Sequence, residues 1–260
     1  MKLLHLSDLH FRLHYPLGSG YQQLFAKISD PLFYVRKALR IDEFDGILIT
    51  GDLCEEGSLE DYQALYGFFK ENCPDKPLFA VCGNHDRHLP FSKVFGQKES
   101  AEPFHFVHDL DGWRIIGFDT SSDGVTDGVW HQSELDWLAE VFQSKSQKGS
   151  VLLTHHPLIP GQSVMPSLPQ NIQFETIMKN SDVRMILTGH THHLYAQAFQ
   201  GLPYITNGST LFLGEQKEEQ VVFLDQTYCG VLMLDKKVSY RVIHLNPKPG
   251  ILVSVPLSDL

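Results

Sequence analysis

Five short segments gather Asp, His and Asn in patterns suited to metal chemistry: Asp8-Leu9-His10, Gly51-Asp52, Gly83-Asn84-His85-Asp86, His155-His156 and Gly189-His190-Thr191-His192. In extended backbone, residues i and i+2 project to one side, so Asp8 and His10 can grip one ion, as can a pair drawn from His190 and His192. Glycine precedes Asp52, Asn84 and His190, which permits a sharp turn and a close backbone approach. The donor set mixes carboxylate, imidazole and amide. That mixture suits Mn, Fe or Zn better than Ca or a thiolate-bound metal. Two such ions about 3.5–4 Å apart, sharing a carboxylate, form a clamp for in-line displacement at phosphorus.

Each segment closes a short apolar run, at 3–6, 46–49, 78–82, 151–153 and 185–187, and a sixth run spans 113–118. Runs of this length, rich in β-branched or aromatic residues and followed by Gly or polar residues, read as buried strands. Amphipathic stretches lie between them. Ser58 caps a helix that presents Leu59, Tyr62, Leu65, Tyr66 and Phe69 on one face. Leu135, Leu138, Val141 and Phe142 mark a second helix; Leu32, Val35 and Leu39 mark a third, with Pro31 in its first turn. From about residue 203 the helical signals fade. Residues 204–206, 221–224, 230–234 and 238–245 read as consecutive strands, the last two joined by a hairpin turn at Asp235-Lys236-Lys237. The expected fold is α/β: two mixed β-sheets packed face to face with helices outside, an αββα sandwich. One domain, 1–260, is expected, with the motifs in 1–200 and a strand-rich C-terminal part at 201–260. Open α/β sheets place ligand sites at the carboxyl ends of their strands, where all five motifs fall.

In this order, Asp-x-His, Gly-Asp, Gly-Asn-His-Asp, a later His and Gly-His-x-His, the motifs resemble the calcineurin-like metallophosphoesterase superfamily. Within it the chain is most similar to bacterial cyclic-nucleotide phosphodiesterases and glycerophosphodiesterases. Each motif alone is weak, but five in order from Asp8 to His192, about three quarters of the chain, are specific. The tail after Pro203 resembles the family only in general character. The resemblance implies that Asp8, His10 and His192 hold one metal, that Asn84, His155 and His190 hold a second, and that Asp52 bridges both. It implies a hydroxide between the ions as nucleophile. It sets His85 beside the second metal, near the leaving oxygen, to protonate the leaving alkoxide or hold the phosphate. Asn84 and His85 are therefore also candidates to touch substrate.

Arg12, two residues after His10, can reach a phosphate oxygen through paired donors; the competing reading is a solvated surface arginine. His156 should point away from His155 along an extended segment and reads as structural support, as does His193. Asp86 and Arg87 read as braces of their loop. His5, His14, His88, His105, His108, His131 and His244 lie outside any motif and receive no role. The stretch 157–171, with four prolines and a glycine, reads as a long loop; with 12–20 and 87–91 it is expected to set substrate choice. Residues 215–219 read as a solvated turn.

Composition narrows the partners. A formal net charge of -10 argues against broad binding to nucleic acid or an anionic membrane, yet leaves room for an anionic substrate held by two cations. Four cysteines at 54, 73, 82 and 229, with no CxxC pair, point to reduced thiols in the cytoplasm, Cys82 being a core thiol. Neither a secretory signal nor an apolar run of 18 residues is present. The leading expectation is hydrolysis of a small phosphodiester, of the cyclic-nucleotide or glycerophosphodiester class. The alternatives are a phosphomonoesterase on a small phosphorylated metabolite, a non-catalytic interaction scaffold and a nuclease. A homo-oligomer stays open.

Overall fold

Alternation along buried strands decides the layering. The computed structural model describes residues 1–14, 22–41, 43–96, 98–163, 165 and 167–259. In it β1 (Lys2–Leu6), β2 (Gly46–Thr50) and β3 (Leu78–Val81) pair in parallel, and β12 (Tyr228–Met233) pairs antiparallel to β1. With β13 (Ser239–His244) they form a five-stranded sheet of order β13-β12-β1-β2-β3. A six-stranded sheet has the order β4-β5-β6-β7-β9-β8, from β4 (Phe106–Leu110), β5 (Trp113–Gly117), β6 (Gly149–Leu153), β7 (Val183–Thr188), β8 (Tyr195–Phe199) and β9 (Leu202–Thr206). Leu3, Leu48 and Val81 on one sheet meet Ile115, Val151, Leu153 and Leu187 on the other, so the two sheets pack face to face. Their neighbours in sequence point outward. Leu4, Leu6, Ile47 and Ile49 pack under α2 (Phe33–Ala38), α3 (Leu59–Asn72) and α4 (His88–Phe95). Ile116, Leu152 and Ile186 pack under α5 (Gln132–Val141) and α6 (Ile172–Lys179). The αββα sandwich expected from the sequence is the observed fold. Each such buried aliphatic side chain contributes about 1.5–3 kcal/mol, which fixes the strand ends before any chemistry is placed on them.

A third, three-stranded sheet, β10-β11-β14, joins β10 (Leu213–Lys217), β11 (Gln220–Leu224) and β14 (Ile251–Pro256) and packs on α1 (Gln22–Phe25) through Leu24, Phe25, Phe223 and Val255. The strand-rich tail thus enters all three sheets. No helix among the described residues is long and apolar enough to cross a membrane.

Several local expectations change. Ser58 does cap α3, accepting from the Asp61 N–H at 3.1 Å. The α2 helix starts at Phe33, so Pro31 stands before the helix and not in its first turn. Residues 88–91, expected in a loop, open α4. Pro90 is tolerated because first-turn N–H groups have no helical acceptor to lose. Residues 215–217, expected in a turn, extend β10. The edge strands β4 and β8 also escaped the reading, because their central residues are exposed and carry no apolar alternation. Of the loop at 12–20, residues 15–20 lie outside the described residues, as do 164 and 166 of the loop at 157–171.

Candidate metal centre and its cleft

The motif residues follow the carboxyl ends of β1, β2, β3, β6 and β7, as expected, but not in extended backbone. Asp8, His10, Asp52, His190 and His192 all have positive φ, at 52°, 44°, 50°, 72° and 57°. The i, i+2 argument for the Asp8–His10 and His190–His192 pairs is therefore corrected. The chain coils through left-handed positions immediately after each strand, and the paired side chains converge by that coiling. Such a residue costs about 1–3 kcal/mol and persists only where its surroundings hold it. Here the loops hold one another: Asp8 N–H donates to the Gly51 carbonyl at 3.1 Å, His10 N–H to the Asp52 carbonyl at 3.0 Å, and Gly189 N–H to the His155 carbonyl at 3.0 Å. Glycine is required by contact. A Cβ on Gly83 would lie 2.2 Å from Asp52 Oδ1, and one on Gly51 2.3 Å from His155 Nδ1.

Two adjoining clusters result. In the first, Asp8, His10, Asp52 and His192 bring one donor atom each within 4.8 Å of the others. His10 Nε2 lies 2.9 Å from His192 Nε2, and His192 Nε2 lies 3.6 Å from Asp8 Oδ1. In the second, Asn84 Oδ1 stands 3.1 Å from His155 Nε2 and 2.8 Å from His190 Nδ1. Asp52 Oδ2 lies between them, 3.7 Å from His10 Nε2 and 3.4 Å from His155 Nε2. All seven residues expected as ligands are thus brought together.

The residues fit metal ions on their own evidence. Asp8 Oδ2 and His190 Nε2 are buried with no hydrogen-bond partner. Buried polar atoms are normally satisfied, so these two call for a partner of another kind. Burial and the neighbouring Asp52 push the Asp8 carboxyl up to about 6. Asp52 stays well below the usual carboxylate range: burial opposes its charge, but His155, His85 and His10 outweigh burial. Burial alone would lower His10 and His155. Instead Glu55 and then Asp52 raise His10 to about 9, and Asp52 raises His155 to about 9. A carboxylate field that favours imidazolium favours a metal cation for the same reason, and metal binding would release those protons.

A surrounding layer orients the imidazoles. His10 Nδ1 lies 2.7 Å from Glu55 Oε2, and His155 Nδ1 lies 2.8 Å from the Thr50 carbonyl oxygen. Each bond takes Nδ1 and turns Nε2 inward. Glu55 escaped the sequence reading because it lies outside every motif; only the fold brings it to His10. Asp86 is a brace, as read. Its buried carboxylate accepts from Leu53, Cys54 and Gly83 N–H and from the Tyr62 hydroxyl, tying the Asn84 turn to the Asp52 turn. His156 Nδ1 lies 2.9 Å from Thr120 Oγ1 and its Nε2 3.2 Å from the Thr126 carbonyl, so both ring nitrogens have partners outside the clusters, although one of them also lies within 4.8 Å of donor atoms of His155 and His190. His5, without a role in the sequence reading, is buried between Tyr240 and Thr50. Arg12 is not a solvated arginine. It is buried, donates to Glu56 Oε1 at 3.0 Å and stacks its guanidinium 4.5 Å from the Phe25 ring centroid. Its charge also helps to lower the carboxyl of Glu55, a residue of the cleft lining.

His85 is half-buried at the cleft. Its N–H donates to Asp52 Oδ1 at 2.9 Å and its Nδ1 donates to the Glu55 carbonyl at 2.9 Å. Above the clusters the cleft is walled by Ser163 and Met165 from the 157–171 loop and by Phe212, Gly214, Gln216, Val221 and Phe223 from the third sheet and its approach. That second wall was not foreseen. A further buried group, Cys82, His88 and Asp119, lies outside the cleft lining.

An αββα sandwich with adjoining carboxylate–imidazole clusters at its strand ends is the architecture of a metal-dependent phosphoester hydrolase. Residues 1–194 match the sequence profile of the calcineurin-like phosphoesterases, and the chain belongs to that family. It is 31% identical over 220 residues to a cAMP/cGMP dual specificity phosphodiesterase of Mycobacterium tuberculosis, covering 81% of this chain and 67% of that one. It is 26% identical over 217 residues to the 3',5'-cyclic adenosine monophosphate phosphodiesterase CpdA of Haemophilus influenzae, covering 81% of this chain and 76% of that one. Among solved structures, GAP50, the anchor in the inner membrane complex of Plasmodium, aligns with 99% of this chain and 88% of its own at a TM-score of 0.59 and 15% identity, a likeness of fold.

Proposed function

We propose that this chain hydrolyses a small phosphodiester, of the cyclic-nucleotide or glycerophosphodiester class, using two transition-metal ions (Mn, Fe or Zn). The observation that carries the reading is the place of Asp52 Oδ2 between the two clusters, within 3.7 Å of a nitrogen in each. Asp8, His10 and His192 would hold one ion, Asn84, His155 and His190 the other, and Asp52 both. When bound, the pair supplies Lewis acidity and an activated water.

The chain's own residues do the rest. Glu55 and the Thr50 carbonyl hold the imidazoles in one tautomer. A carbonyl oxygen only accepts, so the His85 Nδ1 bonded to Glu55 O carries hydrogen, and Nε2 is the nitrogen from which the doubly protonated ring would pass its second proton to the leaving oxygen, ending as the neutral imidazole. The Glu55 carboxylate stands 3.7 Å from that Nδ1. The relatives named above are diesterases, which supports a diester over a monoester. The four cysteines are free and buried, which supports a reducing, cytoplasmic setting.

The test is hydrolysis of bis(p-nitrophenyl) phosphate against p-nitrophenyl phosphate with Mn²⁺ present. A higher kcat/KM for the diester is expected. A preference for the monoester would replace this reading with a phosphomonoesterase, and inactivity on both would favour a scaffold.

A further inference from the structure

Among the described residues of 157–171 there is no helix or strand, yet Ser163 and Met165 from this loop wall the cleft. Their position must be fixed by other means. The neck of the loop is closed by Leu168 N–H, which donates to the Pro157 carbonyl at 2.8 Å, and Leu158 and Leu168 are buried beside Ile186 and Tyr204. A loop whose ends meet and whose own side chains pack beneath it is compact without secondary structure.

Between those two feet Gln162 turns inward. It is 2% exposed and joins a ring of hydrogen bonds with Tyr204, Thr188 and Thr206. Counting hydrogens gives the ring one direction. The single Thr206 hydroxyl hydrogen goes to Gln162 Oε1 at 2.6 Å, so Thr188 donates to Thr206 at 2.9 Å. Thr188 then has no hydrogen for Tyr204, and the Tyr204 hydroxyl donates to Thr188 Oγ1 at 2.9 Å. The Tyr204 oxygen accepts twice, from Leu158 N–H at 3.1 Å and from Gln162 Nε2 at 3.5 Å. Every hydroxyl hydrogen of the ring has an acceptor, and a fully satisfied buried network is rigid. Thr188 and Thr206 are the last residues of β7 and β9, and Thr188 stands two residues before His190. The ring therefore joins the loop to the strand end from which a candidate ligand departs.

We propose that Gln162 is a positioning residue: its amide latches the loop to the ends of β7 and β9 and so sets where Ser163 and Met165 stand over the clusters, and how closely the cleft fits the organic part of its substrate. A buried amide is unfavourable unless both its ends are bonded, and here the ring bonds both. The kinetic consequence rests on the phosphodiesterase reading of the cleft; the latch itself does not.

The test uses the Mn²⁺-loaded protein with Gln162→Met, which keeps the length and removes the amide, and with Thr206→Val, which keeps the shape and opens the same ring from the sheet side. Hydrogen exchange read by mass spectrometry should quicken about tenfold in peptides over 155–163, where Leu158 N–H loses a fixed acceptor, and stay within about twofold over β1 and β2. For bis(p-nitrophenyl) phosphate, KM should rise about tenfold with kcat within about twofold. The double variant should lose no more than the larger single loss, because one substitution already opens the ring. Unchanged exchange over 155–163 overturns the latch. Faster exchange with unchanged KM overturns the positioning role, as does a fall in kcat alone or an additive loss in the double variant. A parent inactive on the diester would retire the phosphodiesterase reading, and exchange would then decide the latch by itself.

Discussion

Replacing His88 by Gln should remove a charged tie between the two sheets, and the loss should depend on pH in a defined direction. His88 opens α4, three residues after His85. Its Nε2 lies 2.9 Å from Asp119 Oδ2 and its Nδ1 2.6 Å from Asp123 Oδ1, both in the segment after β5 of the opposite sheet. Burial alone would lower its pKa, but the two carboxylates outweigh burial and raise it from 6.5 to about 9. At about 1.36 kcal/mol per unit this is at most about 3 kcal/mol of stability. Asp123 is 46% exposed and solvent screens its share, so about 1–2 kcal/mol is the working figure. The folded-state pKa lies above the free value. The contribution is therefore complete below about pH 6.5 and is lost as pH rises through about 9. Thermal unfolding followed by circular dichroism should show His88→Gln melting about 3–6 °C below the parent at pH 6.5. The gap should shrink toward pH 10. His10 and His155 titrate in the same window in both proteins, so the difference between parent and variant isolates His88. A gap of constant size from pH 6.5 to 10 would refute the ionic tie.

Gly83→Ala should abolish activity and Mn²⁺ binding, because its Cβ would fall 2.2 Å from Asp52 Oδ1 and 2.4 Å from the Asp52 backbone nitrogen; retained metal content would contradict the contact argument. His85→Ala should slow a nucleoside or alkyl diester by about 10²–10⁴-fold, and an activated aryl diester far less, since only the poor leaving group needs the proton. Equal losses in kcat/KM on both would reduce His85 to a phosphate-holding role.

The strands bearing Asp8, Asp52, Asn84, His155 and His190 were legible because burial on both faces leaves an unbroken apolar run, and chemistry at the strand end leaves a polar stop. The edge strands β4 and β8 were not, since exposed central residues erase the alternation on which such a reading depends. Residue types and their order marked the candidate ligands, but the route to convergence was misread. Left-handed φ values at Asp8, His10, Asp52, His190 and His192 belong to loops held by one another, and no single segment encodes that. Glu55 and the cleft wall from β10 and β11 share the same cause: the fold brings each to the motif residues from a segment outside every motif. The burial of Arg12 was not legible because its partners, Glu56 and Phe25, are set by the fold.

The central claim is a pair of ions shared by Asp52, and anomalous scattering from Mn²⁺-soaked crystals tests it most directly. Two peaks about 3.5–4 Å apart are expected, one among Asp8, His10 and His192 and one among Asn84, His155 and His190, with Asp52 touching both. A single peak would contradict the account, as would a second peak at Cys82, His88 and Asp119 in place of the Asn84 cluster.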